Sequence, residues 1–229
     1  MISAIIFDLD GTLMDRDKSL RLFLEDQYEY YHNYMLNVQQ ADFINYFIEY
    51  DDHGYAPTLE VYQRLFKELD ISYVMPEDLL DDFNARFPQF AYGYDDTLDT
   101  LRRLQTRGYK LGIITNGETE HQTMLIDVLG LETIVTGFVI SEQVGYRKPE
   151  PQIFQAMMEQ LSERPEHCMF IGNHPDHDVR ASHDLGMVSV FKDNGYFEAP
   201  PQAVMDYRIT HLIELLDLLE EEDVSWKLD

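Results

Sequence analysis

Short apolar runs recur along this chain, separated by stretches with helical spacing, and that alternation limits the fold more than any other feature. The first run, residues 2–7, ends at a turn-forming Asp10-Gly11 pair. Others lie at 110–115, 138–141, 168–171, 188–191 and, more weakly, 207–209. Between them, Leu98, Leu101 and Leu104 repeat on one helical face before Gly108, and Leu125, Val128 and Leu129 do so before Gly130. Ile153, Met157 and Leu161 mark another helix, and 178–185 a further one that closes at Gly186. Strands alternating with helices build βαβ units. The expected class is α/β with a doubly wound parallel sheet, whose ligands bind at the carboxyl ends of the strands.

Residues from about 18 to 90 break this pattern. Leu20, Phe23, Leu24, Gln27, Tyr28, Tyr31 and Met35 form one helical stripe, and Leu59, Tyr62, Leu65, Phe66 and Leu69 a second. Phe43, Phe47 and Tyr50 point to a third helix, and Leu79, Leu80 and Phe83 to a fourth. The expectation is an all-helical domain at 16–93 inserted into an α/β core of 1–15 and 94–229, with the aromatic stripes as its own core. Short linkers at 14–18 and 91–95 would let it move as a unit.

Charge narrows the partners. With 17 Lys and Arg against 43 Asp and Glu, the 229-residue chain carries a formal net charge of −26. That argues against a nucleic acid polymer or an anionic membrane, both of which need a basic face. An anionic substrate would need local cations or a metal. Cys168 is the single cysteine, so no disulfide framework exists and a cytoplasmic home is expected. The run at 2–7 is broken by Asp8, too short for a signal peptide or a membrane span. The acidic run at 220–223 reads as a solvated helix end, and Trp226 as an anchor for the C-terminal segment.

Four constellations sit at ends of successive expected strands. Asp8-Leu9-Asp10-Gly11-Thr12 presents two carboxylates one residue apart, which can divide the work of attacking group and proton carrier. It also reads as an Asx-type turn. Thr115-Asn116-Gly117 offers a hydroxyl, an amide and backbone N–H groups suited to phosphate oxygens, or an ordinary turn. Lys148 follows Arg147 and precedes Pro149, where its charge could stabilise a transition state or lie on the surface. The loop from Gly172 to Asp178 brings Asn173, His174, Asp176, His177 and Asp178. Its oxygen donors suit Mg²⁺. His174 and His177, with His183 nearby, could suggest Zn²⁺, but solvated loop histidines explain them better.

In this order and spacing, the four motifs resemble those of the haloacid dehalogenase-like hydrolase superfamily, in its phosphatase and pyrimidine-nucleotidase-like branches. The stretch from Val139 to Pro149 carries that likeness, and the helical insertion resembles the superfamily's first class of cap. The resemblance implies a Rossmann-like core and Mg²⁺-dependent hydrolysis of a small phosphate ester through an aspartyl-phosphate. It implies Asp8 as nucleophile and Asp10 as acid, then base. Thr12, Thr115, Asn116 and Gly117 would bind substrate phosphate, and Lys148 would neutralise charge. Asp8, Asp10 (by its carbonyl), Asn173 and Asp178 would hold Mg²⁺. Asp10 favours a phosphatase over a dehalogenase, which lacks the second aspartate.

One departure stands out. The family usually has Gly-Asp at the start of the fourth loop, and this chain has Gly172-Asn173. Asn173 would ligate with less charge, aided by Asp176 or Asp178, directly or through water; the remaining alternative is a metal-poor, slow site. The rival readings are a catalytically weak relative that binds a phosphorylated ligand or a protein partner, and a phosphomutase of the same superfamily. A monomer or a homodimer fits equally.

Overall fold

A computed structural model describes residues 1–225. Strand β1 (Ala4–Phe7) is followed by four helices, α1 (Arg16–Tyr31), α2 (Gln40–Asp51), α3 (Thr58–Glu68) and α4 (Pro76–Arg86). The remaining elements are α5 (Thr97–Thr106), β2 (Lys110–Thr115), α6 (Thr119–Val128), β3 (Gly137–Ile140), α7 (Ser141–Val144), α8 (Pro151–Leu161) and β4 (Cys168–Gly172). After β4 come α9 (Ala181–Asp184), β5 (Val188–Lys192), β6 (Tyr207–Ile209) and α10 (Leu215–Ser225). The chain divides into two compact units, Arg16–Tyr92 and a second made of Met1–Asp15 with the chain from Gly93 onward. Trp226 lies outside the described residues.

The larger unit is the expected α/β fold. Its six strands run parallel in the order β3-β2-β1-β4-β5-β6. β1 lies inside the sheet, with Ile5 opposite Leu111 on one side and Met169 on the other. All four of its side chains are fully buried, which accounts for an unbroken apolar run rather than alternation. Ala4, Ile6, Ile114 and Phe170 pack on one face against Ile153, Phe154 and Met157 of α8. Ile5 and Ile113 alternate to the other face, and α5 packs against β2 outside that cluster.

Several helical readings need correction. Leu98 and Val128 are exposed, at 37% and 46%. The inward faces of α5 and α6 use polar residues instead: Thr97 and Thr100 in one, Gln122 in the other. Thr97 earns its place by donating to the Leu13 carbonyl at 2.9 Å. The helix expected at 178–185 begins earlier, as a π-helical turn over Pro175–Arg180 that runs into α9.

The helical unit has its own core. Phe23 of α1 meets Phe83, Phe87 and Phe90 edge-on, with centroids 5.2–5.8 Å apart. Buried Gln27 is held at three points: it accepts from the Tyr62 hydroxyl at 2.7 Å and donates to the Leu79 carbonyl and to Asp82, each at 3.0 Å. Arg16, the first residue of α1, forms a bidentate buried pair with Asp51 at 2.6 and 3.0 Å. Tyr62 is core, as the stripe suggests, whereas Tyr28 and Tyr31 are only half-buried. No helix among the described residues is long and apolar enough to cross a membrane.

Candidate active site

The carboxyl ends of β1, β2 and β4, with the segment after β3, bring the four motifs of the larger unit together. Beyond β1 the backbone winds tightly: the Leu9 carbonyl accepts from the N–H groups of Thr12, Leu13 and Met14. Gly11 adopts φ +80°, and a Cβ there would meet the Asn173 amide at 2.6 Å. This is a position where only glycine is at ease. The Gly11 carbonyl is held by the Asn194 amide at 2.9 Å and the Tyr94 hydroxyl at 3.3 Å.

That winding buries Asp8, at 6% exposure. Its Oδ2 accepts from the Thr12 hydroxyl at 2.9 Å, and its Oδ1 accepts from Lys148 Nζ at 2.6 Å. The same ammonium donates to Asp178 Oδ1 at 2.7 Å. Asp178 is held in turn by the His174 N–H at 2.9 Å. Gly172 makes room for it, since a Cβ there would fall 2.4 Å from the Asp178 Cγ. Burial pushes the Asp8 carboxyl up to about 7 against the pull of Lys148, and the charges of Asp178 and Asp10 add to the rise. Burial alone would lower Lys148, but Asp178 and Asp8 outweigh it and keep the ammonium charged.

Not every motif residue faces the centre. Asn116 spends its amide on the backbone of Lys148, donating to the carbonyl at 3.0 Å and accepting from the N–H at 2.8 Å. It therefore aims the lysine. The Thr115 hydroxyl donates to Gln122 Oε1 at 2.8 Å, and the Gly117 N–H donates to the Ser141 hydroxyl at 2.9 Å. Asp176 turns outward to Arg180 at 2.9 Å. The loop histidines are half-buried rather than solvated: their rings stack at 3.8 Å, and His174 Nδ1 accepts from the N–H groups of Asp176 and His177. Burial lowers both imidazoles, and that acceptor bond uses the lone pair of His174 Nδ1.

Four contributors were not singled out in the sequence: Gln122, Ser141, Tyr94 and Asn194. Of these, Ser141 lies within the stretch from Val139 to Pro149, and Gln122 left a trace as a polar residue on an inward helical face.

A sequence profile for haloacid dehalogenase-like hydrolases matches residues 5–192. The chain belongs to this family. Within it, the chain is 29% identical to a glyceraldehyde 3-phosphate phosphatase of Pyrococcus furiosus, over 99% of this chain and 96% of the relative. It is 25% identical to a phosphoglycolate phosphatase of Aquifex aeolicus, over 97% and 99%. Among solved structures, a phosphatase of the same haloacid dehalogenase-like family from Thermococcus onnurineus superposes with a TM-score of 0.66. It is 27% identical, over 95% of this chain and 98% of that one.

As a haloacid dehalogenase-like hydrolase, the chain should offer a place for Mg²⁺. Among the described residues, no three His, Cys, Asp or Glu side chains converge on one ion. Asp8, Asp178 and Asn173 are buried and offer oxygen donors of mixed kind, two carboxylates and an amide. Two buried carboxylates, with Asp10 beside them, share one ammonium, which leaves negative charge in excess. A hard dication with oxygen ligands fits that excess.

Proposed function

We propose that this chain hydrolyses a small phosphomonoester through a covalent phosphoryl group on Asp8. The observation that carries the reading is the buried Asp8 carboxylate, oriented through one oxygen by Thr12 and through the other by Lys148. A carboxylate so held is pre-aimed, and splitting one displacement into two lowers the hardest barrier.

In the first step an Asp8 oxygen bonds to phosphorus, the bond from phosphorus to the ester oxygen breaks, and Asp10 gives that oxygen its proton. In the second, water bonds to phosphorus and loses a proton to Asp10, and the bond from phosphorus to Asp8 breaks. Lys148 offsets charge on the transferring group, and Asn116 holds Lys148 in place. Thr115 reaches the phosphoryl oxygens once its hydroxyl turns from Gln122, alongside backbone at Asn116 and Gly117. Asp8, the Asp10 carbonyl, Asn173 and Asp178 would hold Mg²⁺, which when bound offsets repulsion between anionic substrate and anionic nucleophile. We take the helical unit as the cap that selects the substrate.

The names of the relatives favour short phosphorylated metabolites. Phosphate release is to be measured from glyceraldehyde 3-phosphate, phosphoglycolate and a nucleoside monophosphate, with Mg²⁺ titrated. Turnover that vanishes in Asp8→Asn supports the reading, and Asn173→Asp should lower the Mg²⁺ required. Release appearing only in Asn173→Asp would overturn it in favour of a phosphorylated-ligand binder, the reading that the uncharged Asn173 favours.

A further inference from the structure

Gln122 links two of the four loops. It sits near the start of α6, 5% exposed, and three neighbours fix it. Its Oε1 accepts from the Thr115 hydroxyl at 2.8 Å, and its Nε2 donates to Asp10 Oδ2 at 3.3 Å. Its stem lies across Gly117, where a Cβ would come within 2.7 Å of the Gln122 Cγ and 2.8 Å of its Nε2. The loop after β2 thus carries glycine at 117 because the glutamine occupies the space a side chain would need.

The polarity of this bridge has a chemical consequence. Turned over, the amide would set Oε1 against an ionised Asp10 carboxylate, oxygen facing oxygen. With Nε2 toward Asp10, an N–H already points at Oδ2, so Oδ2 is an acceptor in both protonation states. The proton of Asp10 is then left to Oδ1. We infer that Gln122 is a positioning residue that assigns the two oxygens of Asp10, keeping Oδ2 as acceptor and Oδ1 as the atom that gives and takes the proton. The inference rests on the hydrolase reading and adds to it a residue outside the four motifs. It also ties the proton carrier to Thr115: a Thr115 hydroxyl that turns toward a phosphoryl oxygen leaves Gln122 Oε1 without its donor.

The test separates positioning from packing by the leaving group. Gln122→Met keeps the stem and removes the donor, and Gln122→Glu keeps the shape and removes the N–H. An alkyl phosphate needs a proton on its leaving oxygen, whereas p-nitrophenyl phosphate releases a phenolate that needs none. In both variants kcat for the alkyl ester should fall ~10–100-fold with KM within about 2-fold of wild type, a loss on the scale of a misplaced catalytic group. The rapid first burst of nitrophenolate should keep its rate. In an Asp10→Ala background, Gln122→Met should cost nothing more.

A nitrophenolate burst slowed as much as turnover of the alkyl ester, an additive loss in the Asp10→Ala background, or wild-type rates throughout would overturn the inference. Failure of the hydrolase reading looks different: wild type turns over neither ester, or Asp8→Asn keeps its activity, and the inference falls with it.

Discussion

Replacing Lys148 by Met removes the one positive charge between two buried carboxylates. Its Nζ lies 2.6 Å from Asp8 and 2.7 Å from Asp178, and the three side chains are exposed by only 4%, 8% and 2%. Water cannot take over from the ammonium, so the loss should approach that of breaking a buried pair, about 3–5 kcal/mol. For a chain of this size about 1 kcal/mol moves Tm by ~2–4 °C, which gives a deficit of about 6–20 °C at pH 8. The sign with pH follows from Asp8. Unfolded, it releases its proton near the ordinary carboxylate value of 3.8; folded, it does so at about 7. Between those values the folded state binds more protons, so this group's contribution to stability falls as pH rises. Without Lys148 the folded carboxyl moves higher still, and the penalty grows above neutrality and shrinks in acid, where Asp8 is neutral. Calorimetry in metal-free buffer at pH 5.5 and pH 8 measures both, and the deficit at pH 5.5 should be less than half that at pH 8. Equal deficits at the two pH values, or none at pH 8, would refute the argument.

Gly172→Ala should displace the Asp178 carboxylate, because the new Cβ would lie 2.4 Å from its Cβ and Cγ, and initial rates of phosphate release should drop ~100-fold or more. Burial pushes the Cys168 thiol up to about 12, so at pH 8 iodoacetamide should modify it far more slowly in the native protein than in urea. Asp51→Ala should take the bidentate carboxylate from Arg16 inside the helical unit, at a cost of up to about 3 kcal/mol. Hydrogen exchange in α1 and α2 should accelerate accordingly, and an unchanged exchange pattern would count against a structural role for the pair.

The parts of this fold that were legible in the sequence are those set by local period. A strand buried on both faces needs apolar residues at every position, and 4–7, 111–114 and 168–171 show it. Helix faces were less legible where a polar residue turns inward. Leu98 and Val128 completed apolar patterns on paper, yet Thr97 and Gln122 take buried positions, because each finds a polar partner that no local pattern encodes, and Thr100 is buried with no hydrogen bond to its hydroxyl. The same limit holds at the site. The motifs identify Asp8, Thr12, Lys148 and Asp178, and the structure brings these together. That Asn116 serves the lysine backbone, that Asp176 turns away and that Gln122 reaches Asp10 all depend on which strands are neighbours. The order β3-β2-β1-β4-β5-β6 is a property of the whole chain.

The place of β1 in that order has a consequence for biosynthesis. Of the six strands it is synthesised first, but its partners begin at Lys110 and Cys168. At ordinary rates of synthesis it waits on the order of ten seconds for them, with Ile5, Ile6 and Phe7 unprotected. The intervening helical unit can bury its own phenylalanines meanwhile, since its core needs no strand. A nascent chain stopped before β4 would present a sticky apolar edge, a natural target for a chaperone. Asp8, attached to the earliest strand, is thus among the last residues to reach its final surroundings.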